Sequence, residues 1–288
     1  MKYPSAGSLE SNVPTYENQY LFHYTTFSSA LGILLSQQMR LGPLVNKNDP
    51  LEFEDHRDDC RAIDGYPSNE ELSIIKGNYK NAADEKERSV RFASFAMDMP
   101  FYNRPKDSQE NCYNNLSKGW ARSRMWAQYA ENHRGVCLIF DKNNLVKSFQ
   151  STFNSCETYC KKVIYTNNLY PLKESLEKNC KSLLTLEKID FLFQKCQDYR
   201  DEQEYRLLLI NKKLKNSKKM VEFSISDSLC GVISGVRFPD ENKLSLKTAM
   251  KYFNSKIKYF LILWNYGMPY LIDTERSKSM CEETDDKN

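Results

Sequence analysis

A chain of 288 residues that is 40% hydrophobic and 27% charged can bury a sizeable core and is not composed like a disordered segment. Its net charge of +3 is too mild to demand nucleic acid or a membrane surface as a partner. Nine cysteines, odd in number and scattered without a repeat, do not make a secreted disulfide framework.

The opening MKYPSAGSLESNVP lacks the apolar core of a secretory signal, and the run YFLILW (259–264) is far too short to span a bilayer. A cytoplasmic location with free thiols and no membrane partner is expected. Residues 1–18 are polar, with Pro4 and Pro14, and read as a flexible lead-in. Residues 273–288 read as a flexible tail.

Between them, YLFHYTT (20–26) alternates as a strand does. Phe27, Ala30, Leu31, Leu34 and Leu35 follow at the spacing of an amphipathic helix, with Thr25 or Thr26 as its natural N-cap. MRLGPLV (39–45) reads as a second short strand, and NKNDPLEFED as a polar loop broken at Pro50. Residues 55–88 are charged with weak helical patterning, and RFASFAM (91–97) alternates as a strand. Trp126, Tyr129, Ala130 and His133 fall on one helical face that Gly135 is expected to end. GVCLIFD (135–141) reads as a buried strand and 168–199 as a long helix or helix pair. QEYRLLLI (203–210), CGVISGVRF (230–238) and KYFLILW (258–264) read as strands. Leu246, Ala249, Met250 and Phe253 make a further helical stripe, capped by Asp240. The irregular spacing of the strands predicts one α+β domain over 19–272.

Few constellations suggest chemistry. His23, His56, His133 and the pair Cys156/Cys160 offer nitrogen and sulfur, and that pair could share a helix face. No CxxC or HExxH spacing accompanies them, so no metal site is read. Cys137 and Cys230 fall in predicted buried strands, where a thiol behaves as a small hydrophobe. Neither a GxGxxG nor a GxxxxGK loop is present. Three polar knots remain, each beside apolar sequence where polarity is costly. They are His23-Tyr24-Thr25, then Asn48-Asp49-Pro50 with Glu52, then Glu202 to Arg206. On a strand Glu202, Glu204 and Arg206 would share one face, either as an edge ion-pair ladder or as a functional group.

The order LFHYTTFSSALGILLSQQMRL, NDPLE, MWAQYAENHRGVCLIFD, YRDEQEYRLLLI and CGVISGVRF resembles the bacterial domain of unknown function family 2971, from about residue 20 to about 255. Tyr199 stands where that family tends to carry Trp, so an aromatic is kept. The layout is also similar to that of ADP-ribosyltransferases, with His-x-Thr on an early strand and Glu-x-Glu at the head of a late one.

That resemblance implies a split β-sheet cleft with flanking helices, NAD⁺ as cosubstrate without a glycine loop, and a macromolecular acceptor, protein or nucleic acid. Glu204 would stabilise the cation formed when the nicotinamide–ribose bond breaks, and Glu202 would activate the acceptor. His23 would hold ribose hydroxyls through a neutral imidazole. Tyr24 and Thr25 would join it on the NAD⁺ side. Trp126 or Tyr129 would stack on nicotinamide. Asn48 and Asp49 would shape the following loop, where their other reading is a simple turn. Arg206 would hold Glu204 in place. Toxin, effector or phage-defence duty would be the setting. Two other expectations stand beside this one. One is a non-catalytic nucleotide- or protein-binding module. The other is a metal-dependent nucleic-acid enzyme with Glu52, Glu202 and Glu204 on Mg²⁺.

Overall fold

A computed structural model describes residues 19–43, 89–99, 115–167, 189–214 and 220–274. Asn48, Asp49, Glu52, His56, the lead-in and the tail beyond 274 lie outside the described residues. So do 55–88 and most of the 168–199 stretch. The chain divides into two compact units: 1–39, 95–149 and 223–288 form one, and 40–94 with 150–222 the other. The first is mixed, with helices beside mostly antiparallel strands, and the described residues of the second are mainly strands and 3-10 turns.

In the first unit, β1 (Tyr20–Thr25) pairs antiparallel with β4 (Val136–Asp141), and β4 with β10 (Leu229–Ser234). Next come β11 (Lys258–Asn265), parallel to β10, and β12 (Met268–Asp273), antiparallel to β11. The last residues of β3 (Val90–Ala96) join β1 through Phe22 and Ala96. Alternation divides β1 between the two faces of this sheet. Phe22 and Tyr24 enter a buried cluster with Trp120, Trp126, Cys137, Ile139, Ile233, Phe260 and Ile262. Each such side chain contributes about 1.5–3 kcal/mol by leaving water.

Helix α1 (Phe27–Ser36) starts where the threonines predict: the Thr26 side chain accepts the Ser29 N–H at 3.1 Å. The Glu131 carboxylate accepts the Phe27 N–H at 3.1 Å, so a second oxygen satisfies the exposed donors of the first turn. Helix α2 (Ser123–Tyr129) carries Trp126 onto the Tyr24 face, and α3 (Lys142–Thr152) buries Leu145 and Phe149. Helix α4 (Asp240–Phe253) buries the stripe read from sequence, Leu246, Ala249, Met250 and Phe253. Asp240 is not its cap. It is the first helical residue after Pro239 and makes no capping bond; it is an acid near the positive end of the helix and pairs with Lys243 at 2.5 Å.

His133 does not share a helical face with Trp126 and Tyr129. The helix ends at Tyr129, and Glu131, Asn132 and His133 adopt φ of 48°, 52° and 69° in succession. The Asn132 and His133 N–H groups return to the Ala127 and Trp126 carbonyls and close this turn. Gly135 follows the turn because a Cβ there would overlap the Thr25 carbonyl oxygen.

In the second unit, β8 (Glu204–Ile210) lies between the start of β3 and β5 (Glu157–Lys162), pairing antiparallel with the latter. Cys160 therefore sits on a strand, and Cys156 just before it, so the two do not share a helix face. A parallel ribbon of β6 (Ile164–Tyr165) and β7 (Gln194–Lys195) aligns Tyr165 with Lys195. The described part of the expected 168–199 helix is instead a 3-10 turn at Asp190–Phe193, β7, and a second 3-10 helix at Gln197–Glu202. Two remaining short strands, β2 (Gln38–Leu41) and β9 (Val221–Ser224), pair with each other. Cys137, Cys156, Cys160, Cys196 and Cys230 are free thiols. Among the described residues no helix is long and apolar enough to cross a membrane.

Candidate functional site

The second unit gathers its charge at the head of β8. Glu202 is not on that strand. It closes the 3-10 helix, and Gln203 turns left-handed at φ 44° before β8 begins at Glu204. Strict alternation thus fails for Glu202, yet the two carboxylates converge on one ammonium. Lys195 Nζ donates to Glu202 Oε2 at 2.8 Å and stands 3.0 Å from Glu204 Oε2. Glu204 and Arg206 do share a face of β8, and Arg206 Nε donates to Glu204 Oε1 at 2.8 Å. The Ser94 hydroxyl, from β3, donates to the same Oε1 at 2.5 Å.

All four charged groups are sealed, with exposures of 3% for Glu202 and Glu204, 6% for Lys195 and 1% for Arg206. Two anions face two cations, which is the condition under which charge survives burial. Arg206 also donates from Nη1 to the Leu192 carbonyl at 2.6 Å, and its guanidinium lies 4.5 Å over the Phe92 ring. Lys195 lies 5.3 Å over the Tyr199 ring, so the aromatic at 199 contacts the charge cluster. Burial alone would raise the Glu204 pKa. Arg206 first, then Lys195 and the hydrogen bonds from Arg206 and Ser94, outweigh it and hold the carboxyl well below the ordinary range.

The two oxygens of Glu204 differ. Oε1 takes two donors, whereas Oε2 accepts no hydrogen bond among the described residues, the lysine approaching it outside hydrogen-bonding geometry. The Glu204 backbone N–H donates to the Tyr165 hydroxyl at 2.8 Å, and burial pushes that phenol's pKa far upward.

In the first unit, His23 is half-buried, with its ring 5.5 Å from that of Phe95. Thr25 follows on the same face and is buried. Tyr24 points the other way. Its hydroxyl donates to the Gly119 carbonyl at 2.7 Å, and its ring meets Trp126 edge-on at 5.2 Å. Burial raises the phenol pKa well above its ordinary value. Trp126 is fully buried, donates from Nε1 to the Trp120 carbonyl, and stacks on His133 at 6.5 Å. Tyr129 is half-buried against the same cluster. The structure thus brings Tyr24, Trp126 and Tyr129 together around one core and puts His23 and Thr25 on the opposite sheet face.

Residues 125–207 match the family model described as a protein of unknown function, DUF2971. No curated protein and no solved structure matches the chain. The matched segment runs from α2 to the fourth residue of β8, less than the span expected from the motif order. It includes Trp126, Tyr129, Tyr165, Lys195 and the whole Glu202–Arg206 group.

Sequence reasoning missed Lys195, Ser94 and Tyr165. A lone lysine after the apolar run FLFQ was the signal for Lys195, and a serine between Phe92 and Ala96 for Ser94. Among the described residues no three His, Cys, Asp or Glu side chains stand close enough to hold a metal ion.

Proposed function

We propose that the chain is an NAD⁺-dependent ADP-ribosyltransferase that acts on a macromolecular acceptor. The observation that supports it is Glu204: a carboxylate kept ionised at the head of a strand, fixed through Oε1, with Oε2 ion-paired to Lys195 at 3.0 Å and accepting no hydrogen bond among the described residues. A permanent anion of fixed direction is what a developing ribose cation requires. When the C1′–nicotinamide bond breaks, its electron pair leaves with neutral nicotinamide, and positive charge spreads over C1′ and the ring oxygen. Glu204 stabilises that charge. The acceptor nucleophile then bonds to C1′ and passes its proton to Glu202. The resemblance assigns ribose hydroxyls to His23, in the first unit, and that assignment is tested by itself.

The test measures nicotinamide release from NAD⁺, and the thermal shift that NAD⁺ causes, in wild type, Glu204→Gln and His23→Ala. Wild type releases nicotinamide and melts higher with NAD⁺. Glu204→Gln falls to background while still melting cooperatively, and His23→Ala loses the shift. A wild type with neither shift nor release overturns the reading.

Burial of the entire charge group supports a second reading, a non-catalytic nucleotide- or protein-binding module whose buried ion pairs only hold β8. An NAD⁺-induced shift that survives Glu204→Gln, with no release by either protein, identifies it.

A further inference from the structure

Glu202 and Glu204 leave different backbone conformations, a 3-10 helix and a strand separated by one left-handed residue. Two carboxylates drawn to one ammonium repel each other, and nothing in the Glu-x-Glu pattern by itself makes them meet. What they share is Lys195, at 2.8 Å from one and 3.0 Å from the other. Its position is set by the β6–β7 ribbon, in which it is the ladder partner of Tyr165. Tyr165 accepts the Glu204 N–H, so the same ribbon grips Glu204 by backbone and by side chain.

We propose that Lys195 is the positioning residue of the Glu202–Glu204 pair: its ammonium draws both carboxylates to one point and cancels their mutual repulsion. Resting on the transferase reading, Lys195 then keeps the acceptor-activating carboxylate beside the cation-stabilising one without touching substrate. Among the described residues, the groups that face the pair include Lys195 from β7, Arg206 from β8, Ser94 from β3 and Tyr165 from β6, with Tyr199 of the 3-10 helix against Lys195. Arg206 pairs with Glu204 from the same strand, through Nε to Oε1, whereas Lys195 reaches both carboxylates through their Oε2 atoms.

Carboxyl titrations of Glu202 and Glu204, followed by carbon-detected NMR, test the idea whatever the activity on NAD⁺. In Lys195→Met, one carboxyl of the pair is expected to titrate at least about one pH unit higher than in wild type, because a like charge is left uncompensated. Lys195→Arg restores the wild-type titration. If NAD⁺ turnover exists, the acidic limb of its pH profile moves up in Lys195→Met by the same amount, which a merely structural lysine would not cause. Unchanged titration of both carboxyls overturns the proposal. Should Lys195→Met fail to fold, Lys195→Met/Glu202→Gln removes one charge of each sign. It is expected to fold and melt near wild type, whereas a double variant that also fails to fold overturns the proposal. Absence of nicotinamide release with the titration shift present leaves the lysine's role standing and removes only the transferase reading.

Discussion

Arg206 and Glu204 stand two residues apart on β8, and the guanidinium Nε donates to the carboxylate Oε1 at 2.8 Å with both groups almost wholly buried. Neither charge can be left alone there. Arg206→Met removes the largest of the influences that keep Glu204 ionised and also frees the Leu192 carbonyl. Breaking a buried pair from one side costs about 3–5 kcal/mol. Urea unfolding at neutral pH should show Arg206→Met destabilised on that scale. A loss no larger than that of an exposed substitution contradicts the arrangement.

The same carboxylate makes a prediction about acid. The Glu204 pKa in the fold lies well below its value in the unfolded chain, about 4.3. Its contribution is therefore complete above that unfolded value and fades as pH falls from it toward the folded one. Unfolding free energy should drop between about pH 5 and pH 2, with a shallower slope in Glu204→Gln. Equal slopes in denaturant titrations across that range remove Glu204 from the acid response.

Gly235 tests the left-handed turn. Its N–H donates to the Gly135 carbonyl at 3.0 Å, and the Arg237 N–H donates to the His133 carbonyl at 3.0 Å. A Cβ on Gly235 would overlap that His133 oxygen, which is backbone and cannot swing away. Gly235→Ala should cost about 1–3 kcal/mol, the usual scale of overpacking. Gly32, inside α1, has nothing within 4 Å of its would-be Cβ, so Gly32→Ala should stabilise by about 0.5–1 kcal/mol. Thermal melts of the two variants should move in opposite directions.

Much of the fold near β1 was legible because alternation, a threonine cap and an amphipathic stripe all point to a strand and a helix over residues 20–36, although the helix buries Ala30, Ile33 and Leu34 and leaves Leu35 exposed. Helix α4 was legible for the same reason, through Leu246, Ala249, Met250 and Phe253. The end of α2 was not, because Glu131, Asn132 and His133 carry no turn signature as strong as glycine, yet all three take positive φ. Its logic lies in a long-range contact between Gly235 and His133. Period two also misplaced Glu202, since the single left-handed residue Gln203 moves it off the strand. At the charge cluster the chain advertised Glu204 and Arg206 but concealed Lys195 and Ser94. Those reach the carboxylates from β7 and β3, distant in sequence, and each is an ordinary residue in its own segment.

The two glutamates separate the two halves of the proposed reaction. Glu204 acts on the bond that breaks, so Glu204→Gln should reduce nicotinamide release by about 10²–10³-fold, with or without acceptor. Glu202 acts on the nucleophile that arrives. Glu202→Gln should therefore lower transfer to a protein or nucleic-acid acceptor by about 10²–10⁴-fold while release to water persists. Buried charge complicates both variants, because Glu202→Gln takes one anion from Lys195 and Glu204→Gln takes one from both Lys195 and Arg206. Thermal melting of each, read beside the two rates, separates a chemical loss from a folding one. If Glu202→Gln abolishes release as completely as Glu204→Gln while both remain folded, the pair acts as a single electrostatic unit and the division of roles is wrong.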